Sequence, residues 1–264
     1  MKLSYSSPAT VDVYPDLLPE PEDVRLDDRI RATGVIERVP TGIAGLDSLV
    51  EGGLPRGRII GLTGATGAGK TTLGFQFLQQ GIEQAGESGV YVTLEDEVAD
   101  LYQDMGRYGW DLKSWLQNQQ FAIVKTHIPT EVNTPLTVDN LLDKIHRAVT
   151  QVNAKRLVFD SLSALGFCYT DTTNLRRDVL RLCSLLRELG CTTLLLSEMP
   201  DGGERTMRFG LAQFATQGMI VLHMAHTYRA VEIRKMRGTN HDLNLHRMRF
   251  NEHGLIVMPG EHPF

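Results

Sequence analysis

Paired cysteines and long apolar segments are both missing from this sequence of 264 residues. The three cysteines, Cys168, Cys183 and Cys191, show no CxxC spacing, and we interpret them as core or near-core thiols in a reducing cytoplasm. No run of 18 apolar residues occurs, and the N-terminus lacks a basic region followed by an apolar one. We therefore expect a soluble, cytoplasmic protein without a signal peptide or a membrane-spanning helix.

An excess of positive charge is missing as well. The formal net charge is −5, so the chain lacks the basic footprint of a general nucleic-acid binder. This argues against DNA binding only weakly, because a ring or a filament can hide a basic inner face. With 42% hydrophobic and 22% charged residues, the chain has enough apolar material for a substantial core.

The first 35 residues differ from the rest. They contain four prolines and seven acidic residues against four basic ones, without a sustained period. We expect an N-terminal arm over residues 1–35 and one folded domain over residues 36–264. Two interpretations of the arm stay open: it is mobile or loosely docked, or it packs on a neighbouring subunit through the anchors Tyr14, Leu17, Leu18 and Leu26.

Beyond residue 38, short apolar runs alternate with helical patterns. The pattern predicts strands at 58–64, 89–95, 121–126, 156–161 and 192–198, and helices at 71–84, 97–109, 137–152 and 174–190. Segments within residues 219–258 alternate like antiparallel strands. Repeated strand–helix units predict an α/β fold, with a doubly wound, mainly parallel sheet covered by helices on both faces.

The stretch "GATGAGKT" follows a predicted strand and opens a predicted helix. Its glycines let backbone N–H groups turn inward at the helix N-terminus, where they and the positive helix end hold phosphate oxygens. Lys70 is expected to reach the β- and γ-phosphates of ATP, and the Thr71 hydroxyl to bind Mg²⁺. The predicted nucleotide-binding residues of this loop are Gly64, Ala65, Thr66, Gly67, Ala68, Gly69, Lys70, Thr71 and Thr72.

Acidic residues end two further predicted strands. Asp160 follows the apolar part of "RLVFDS", and we expect it to support the metal through a water molecule. Glu95 and Asp96 end "VTLED", at the sheet edge that faces the γ-phosphate. We expect Glu95 to act as the base that orients water and to lie near the metal, with Asp96 assisting. Ser197 and Glu198 end "TTLLLSE", and both are further candidates for sensing the γ-phosphate; a structural role is the alternative.

Several stretches together resemble the KaiC family of clock ATPases, which belongs to the RecA/RadA superfamily. They are "RVPTGIAGLDSLVEGGLPRG", "GATGAGKTT", "VYVTLED", "RYGWDL", "RLVFDS" and "KMRGTNHD". The similarity covers about residues 38–258. The phosphate loop is common to RecA-like ATPases, whereas the opening stretch and "KMRGTNH" are much more specific. KaiC has two such domains in tandem, and this chain has one. The resemblance implies a RecA-like fold and a hexameric ring with ATP at subunit interfaces.

The resemblance also implies roles for single residues. Lys235, Arg237, Thr239 and His241 match family positions that reach the nucleotide of the adjacent subunit. Residues 228–249 hold six basic residues against two acidic ones, and a cation near a developing phosphate charge accelerates transfer. The family usually has two glutamates where this chain has Glu95 and Asp96.

One departure concerns phosphorylation. The phosphorylating KaiC domain has adjacent serine and threonine acceptors where an ungapped comparison finds Gln213 and Phe214, and Gln217 replaces the acid that follows. We therefore expect no phosphorylation at that place, and the chain resembles the ATPase-type domain more.

A regulatory or signalling ATPase is the favoured function, and three alternatives stay open. One is a serine/threonine autokinase or protein kinase, and another is a nucleotide-gated scaffold without turnover. The third is a RecA-like DNA-binding ATPase with loops at 164–174 and 199–213. We do not expect DNA as a partner, because the second loop carries Asp201 and Glu204 beside Arg205 and Arg208 and so lacks a strong charge bias.

Overall fold

The computed structural model of the protein describes residues 35–126, 138–169, 171–199 and 215–261. The chain divides into two units, Met1–Ile36 and Glu37–Phe264, and every described helix and strand belongs to the second. Residues 1–34 of the predicted arm, with its four proposed anchors, lie outside the described residues. So do Gln213 and Phe214, and all but one residue of the second proposed DNA loop.

Among the described residues, nine strands form one sheet in the order β11-β10-β9-β8-β3-β7-β6-β4-β5. Strands β8, β3, β7, β6, β4 and β5 run parallel, and β9, β10 and β11 extend the sheet in antiparallel fashion. This arrangement confirms the predicted α/β sheet with antiparallel C-terminal strands. The strands are β3 (Ile59–Gly64), β4 (Gly89–Thr93), β5 (Phe121–Lys125), β6 (Arg156–Asp160), β7 (Thr192–Glu198), β8 (Gly218–Met224), β9 (Arg229–Met236), β10 (Leu245–Asn251) and β11 (Gly254–Met258).

Six α-helices and one small sheet complete the described part of the chain. Strands β1 (Arg38–Val39) and β2 (Leu54–Pro55) pair with each other, and a 3₁₀ turn at Asp47–Val50 lies between them. The helices are α1 (Lys70–Gln79), α2 (Val98–Gly106), α3 (Leu112–Gln117), α4 (Val138–Val152), α5 (Leu162–Phe167) and α6 (Thr172–Glu188). None of the described helices meets the length and apolarity that a membrane crossing requires.

The sheet separates two apolar clusters. One cluster combines α1, α2 and α3 with residues such as Tyr91 and Leu196. The other combines α4, α5 and α6 with their strand neighbours, such as Val92 and Leu195. Successive strand residues point to opposite faces, so both faces of the inner parallel strands are buried, whereas the edge strand β5 is partly half-buried. That double burial explains why these strands read as continuous apolar runs.

The first predicted helix changes its winding after ten residues. Helix α1 continues as a π-helical segment at Gln80–Ala85, where the sequence predicts ordinary α-helix. Nη1 of Arg156 donates to the Phe77 carbonyl at 2.8 Å, which an α-helix offers to Gly81. Gly81 itself lies against the same guanidinium, since an added Cβ would lie 2.5 Å from Cδ of Arg156. A buried arginine from β6 thus alters the end of the helix.

Two short helices are not predicted by the sequence pattern. Helix α3 begins after Asp111, whose carboxylate accepts from the backbone N–H of Ser114 at 3.0 Å. Helix α5 begins after Ser161, whose hydroxyl accepts from Ala164 N–H at 3.1 Å. Both are six-residue elements that begin at a capping side chain, and they are too short for an apolar period to mark them. The first proposed DNA loop, residues 164–174, is therefore largely helical where the structure describes it.

Candidate functional site

The phosphate loop joins the buried strand β3 to α1. Gly67 and Gly69 adopt φ values of 77° and 110°, which side chains other than hydrogen rarely tolerate. An added Cβ on Gly69 would also lie 2.8 Å from the Phe250 ring. The loop therefore depends on glycine both for its turns and for close packing against β10. It leaves the first amides of α1 directed at one cavity.

Lys70 opens α1 and folds back over the loop. Its Nζ donates to the carbonyls of Gly64 and Ala65 at 2.9 and 3.0 Å. Burial lowers the pKa of Lys70, and the carboxylates of Glu198, Asp160 and Glu95 oppose that shift. The ammonium group is therefore a positive charge in a partly buried position, where its attraction to a phosphate is stronger than it would be in water.

Asp160 lies at the end of β6, beneath the start of α1. Its Oδ2 accepts hydrogen bonds from Oγ1 of Thr71 at 2.9 Å and from the Tyr91 hydroxyl at 2.6 Å. Burial raises the pKa of Asp160, although the hydrogen bonds from Tyr91 and Thr71 and the charge of Lys70 counteract it. The structure thus brings together the loop hydroxyl and the carboxylate that the sequence assigned to a metal.

Glu95 and Asp96 follow β4 at the same sheet edge. Oγ1 of Thr93 accepts from the backbone N–H groups of Glu95 and Asp96 at 3.3 and 2.9 Å, which fixes the turn that carries both acids. Ser161 donates to Oε2 of Glu95 at 3.3 Å. Burial, followed by the charges of Asp160 and Glu95, raises the pKa of Asp96 to about 6. Glu95, Asp96 and Asp160 therefore lie close enough to repel one another, and a bound cation would neutralise that negative charge.

These groups line one cavity of about 550 Å³. Of the predicted loop residues, those on the cavity wall are Thr66, Gly67, Gly69, Lys70, Thr71 and Thr72. Gly64, Ala65 and Ala68 are not among the wall residues; Ala68 is fully buried in the core. Glu95, Asp96 and Asp160 complete the predicted part of the wall.

The structure adds wall residues that the sequence argument missed. The Arg107 guanidinium lies 5.2 Å from the Tyr108 ring centre, and the Arg229 guanidinium lies 5.1 Å from that of Phe250. Arg107 and Tyr108 belong to the quoted stretch "RYGWDL", so a signal existed for them. Arg229 and Phe250 come from antiparallel strands remote in sequence, where no local pattern marks them. Ser161 is a further addition to the wall, and Glu198, already a candidate from the sequence, lines the cavity too.

Ser197 is placed away from this cavity. It is buried on β7. Because side chains alternate along a strand, Ser197 points to the same face as Leu195, the face covered by α4, α5 and α6. Its neighbour Glu198 lines the cavity instead and accepts from Oγ1 of Thr66 at 2.8 Å. Of the two candidates at this strand end, Glu198 is the one whose side chain faces the loop.

The "KMRGTNH" residues lie at the other edge of the sheet. Met236 pairs with Gly218, which pairs with Ile60 at the start of β3, whereas the phosphate loop leaves β3 at Gly64. Lys235 donates to the Thr216 carbonyl at 2.7 Å. None of the candidates from this stretch lines the cavity of about 550 Å³; they are Lys235, Arg237, Thr239 and His241.

A second, larger cavity of about 840 Å³ adjoins the first and shares Arg229 and Phe250 with it. The rest of its wall is formed by Met224 at the end of β8, the turn between β8 and β9, and residues 247–249 of β10. No carboxylate occurs among the described residues that line it. We therefore place the chemistry in the smaller cavity, which holds the loop lysine and the acids.

Comparison with known proteins agrees with this geometry. The family described as "ATPase: KaiC" matches residues 39–262. The chain is 31% identical over 231 residues to the circadian clock oscillator protein KaiC of Prochlorococcus marinus (strain MIT 9313), covering 85% of this chain and 46% of that protein. It is 33% identical over 237 residues to the circadian clock protein KaiC3 of Synechocystis, covering 86% of this chain and 46% of the relative. It thus spans less than half the length of either relative.

A solved structure shows the same fold. The KaiC-like protein of the hyperthermophilic archaeon Pyrococcus horikoshii superposes with a TM-score of 0.76 at 38% identity, covering 85% of this chain and all of that one. The match covers the whole of this solved chain, whereas it covers less than half of each of the two clock proteins. By the family match over most of its length and by this structure, the chain belongs to the KaiC family of P-loop ATPases.

Proposed function

We propose that the protein is a magnesium-dependent ATPase that works as a homo-oligomeric, hexameric ring with ATP between subunits, in a regulatory or signalling role. The observation that carries the proposal is the contact of 2.9 Å between the Thr71 hydroxyl and the Asp160 carboxylate. It lies under a complete phosphate loop, and Glu95 and Asp96 line the same cavity. Phosphate, metal and water therefore have adjacent partners.

The oxygen donors fit magnesium. Mg²⁺ keeps several waters and takes one or two carboxylates together with substrate phosphates. The lack of a cluster of three metal-ligating side chains among the described residues is therefore compatible with it. We assign Thr71 as a direct ligand, Asp160 as a ligand through water, and Glu95 as a neighbour of the metal. When bound, the ion would neutralise charge on the β- and γ-phosphates.

The protein groups divide the work of hydrolysis. Lys70 and the loop amides hold the phosphates. Glu95 accepts a proton from the attacking water, whose oxygen bonds to the γ-phosphorus while the bond to the bridging oxygen breaks. Asp96 has its pKa raised to about 6, close to the range in which a base works best at neutral pH. It is thus the alternative base if Glu95 only orients the water.

The aromatic side of the cavity suits the base of the nucleotide. The guanidinium of Arg107 lies over the Tyr108 ring, and that of Arg229 lies over the Phe250 ring. Aromatic faces and arginine planes are surfaces on which bases stack. We assign this side of the cavity to adenine and the loop side to the triphosphate.

The placement of Arg237 supports a site shared between subunits. Met236, the residue before Arg237, is aligned through Gly218 with Ile60 of β3. The phosphate loop begins at Gly64, four residues beyond Ile60, and at about 3.3 Å per residue this is roughly 13 Å along β3. Two strand spacings of about 4.8 Å add roughly 10 Å sideways. An arginine side chain is shorter than this separation, and Arg237 is exposed. We therefore assign Lys235, Arg237, Thr239 and His241 to the nucleotide of the adjacent subunit.

The test combines assembly and turnover. Native mass or light scattering with and without Mg-ATP is measured in parallel with phosphate release. We expect Lys70→Ala to lose ATP binding and ring assembly together, because Lys70 is the lysine of the loop and the nucleotide joins subunits. An assembled, ATP-binding Lys70→Ala variant contradicts the proposal. Tight binding with negligible turnover by the unaltered protein indicates a nucleotide-gated scaffold, and label transferred from ATP to protein indicates a kinase.

A further inference from the structure

Tyr91 is a core residue with one polar atom. It lies in the middle of β4 and is fully buried. Its hydroxyl donates to Oδ2 of Asp160 at 2.6 Å, and the same oxygen accepts from Thr71 at 2.9 Å. The other carboxylate oxygen, Oδ1, accepts no hydrogen bond from the described residues. Asp160 lines the cavity, so one oxygen is held while the other keeps its acceptor capacity.

The ring of Tyr91 is held as firmly as its hydroxyl. It stacks on Phe75 of α1 with ring centres 4.2 Å apart and an interplanar angle of 27°. Phe75 follows Thr71 by four residues, so both lie on one face of α1. The Tyr91 ring and hydroxyl therefore contact the two elements, α1 and β6, that carry the proposed metal site.

Packing alone does not require the hydroxyl. A phenylalanine would fill the same space and keep the stacked ring, and a buried hydroxyl is unfavourable unless it is hydrogen-bonded. The hydroxyl has one acceptor here, and that acceptor is the proposed metal-site carboxylate. Groups that orient metal-binding side chains affect metal affinity strongly, although they do not touch the metal.

We infer that Tyr91 is a positioning residue: its hydroxyl fixes the Asp160 carboxylate so that Oδ1 faces the metal-bound water. The inference rests on the magnesium site of the proposed function. It goes further because it assigns a role to a residue that lines no part of the cavity. It predicts that removing one oxygen atom from the core weakens metal binding and leaves nucleotide binding without metal intact.

The experiment uses Tyr91→Phe in the full chain. Binding of a fluorescent ADP analogue is titrated in EDTA and at increasing Mg²⁺, and Mn²⁺ bound in the ADP complex is measured by electron paramagnetic resonance. We expect metal affinity to fall about 10–100-fold, with ADP affinity in EDTA unchanged. Tyr169→Phe is the matched control. It removes a tyrosine hydroxyl that donates to another carboxylate, Asp178, at 2.8 Å, and it should leave metal binding unchanged.

The outcomes separate the inference from the proposed function. If the unaltered protein binds ADP equally with and without Mg²⁺, the magnesium site itself is wrong. If the unaltered protein responds to Mg²⁺ and Tyr91→Phe responds within twofold of it, only the positioning role is wrong. Loss of ADP binding in EDTA by Tyr91→Phe shows a structural role and also overturns the inference. A metal-specific loss that the Tyr169→Phe control lacks supports it.

Discussion

The separation of Arg237 from its own phosphate loop makes action between subunits directly testable. Replacing Arg237 by alanine should abolish hydrolysis while the loop of the same chain stays intact, because the backbone beside Arg237 lies roughly 13 Å along and 10 Å across the sheet from that loop. An arginine supplied by a neighbour contributes roughly 10³–10⁵ in rate at comparable phosphoryl-transfer sites. We expect Arg237→Ala to bind ATP and lose nearly all turnover.

Mixing distinguishes action on the neighbour from action within the subunit. Glu95→Gln keeps its phosphate loop and Arg237 but lacks the base, and Arg237→Ala keeps its base. In an equal mixture, about a quarter of the interfaces of a head-to-tail ring join an intact Glu95 to an intact Arg237 from the neighbour. Phosphate release should therefore rise to about a quarter of the unaltered rate, far above either variant alone.

Two controls make the result decisive. Arg234→Ala removes an exposed arginine of β9, the strand that ends just before Arg237; it is paired with Glu232 at 2.9 Å, and its loss should leave turnover close to normal. Co-assembly of the two inactive variants is verified by native mass. Mixed rings without any gain of phosphate release would refute the assignment of Arg237 to the neighbour's site.

Two further predictions concern the acids. Glu95→Gln alone should bind ATP and assemble but hydrolyse at least ~10²-fold more slowly, the scale of a lost general base; phosphate release near the normal rate would transfer the role to Asp96. The pKa of Asp96, raised from 3.8 to about 6, means that the folded state binds its proton more tightly than the unfolded chain, so stability falls as pH rises from about 4 through 6. Two units correspond to at most ~3 kcal/mol, which solvent screening reduces to about 1 kcal/mol. Without nucleotide, the free energy of unfolding measured in urea should therefore be about 1 kcal/mol higher for Asp96→Asn than for the unaltered protein at pH 7.5, with no difference near pH 4. A constant difference across this pH range would contradict the assignment.

The sheet and the loop were predictable because their signals are local. Strand β3 is a buried apolar run that ends in glycine, and the loop after it carries its whole chemistry within nine residues. Asp160 could be found because a carboxylate directly after an apolar run lies at the edge where parallel strands end. In each case, neighbouring residues in sequence determine the position.

The missed parts depend on contacts between distant segments. Phe250 and Arg229 reach the cavity because β9 and β10 extend the sheet next to β8, and pairing of that kind leaves no trace in either segment alone. Ser197 and Glu198 are adjacent, and which of them faces the loop depends on the strand register. A shift of one residue reverses the face, so a strand end can be predicted more securely than its inward side chain.

The contact between Thr71 and Asp160 is also stabilised by contacts between α1 and β6 that lie outside the cavity. Helix α1 and strand β6 touch at three levels. Thr71 bonds Asp160 at one end, and Gly74 lies so close to Val158 that an added Cβ would be 2.9 Å from its Cγ1. At the other end, Arg156 binds the Phe77 carbonyl. A site carried by a helix and a strand that are joined along their length is held more accurately than one built on loops. The distance between the proposed metal ligands is therefore set by the packing of α1 on β6, with Gly74 allowing the close approach between them.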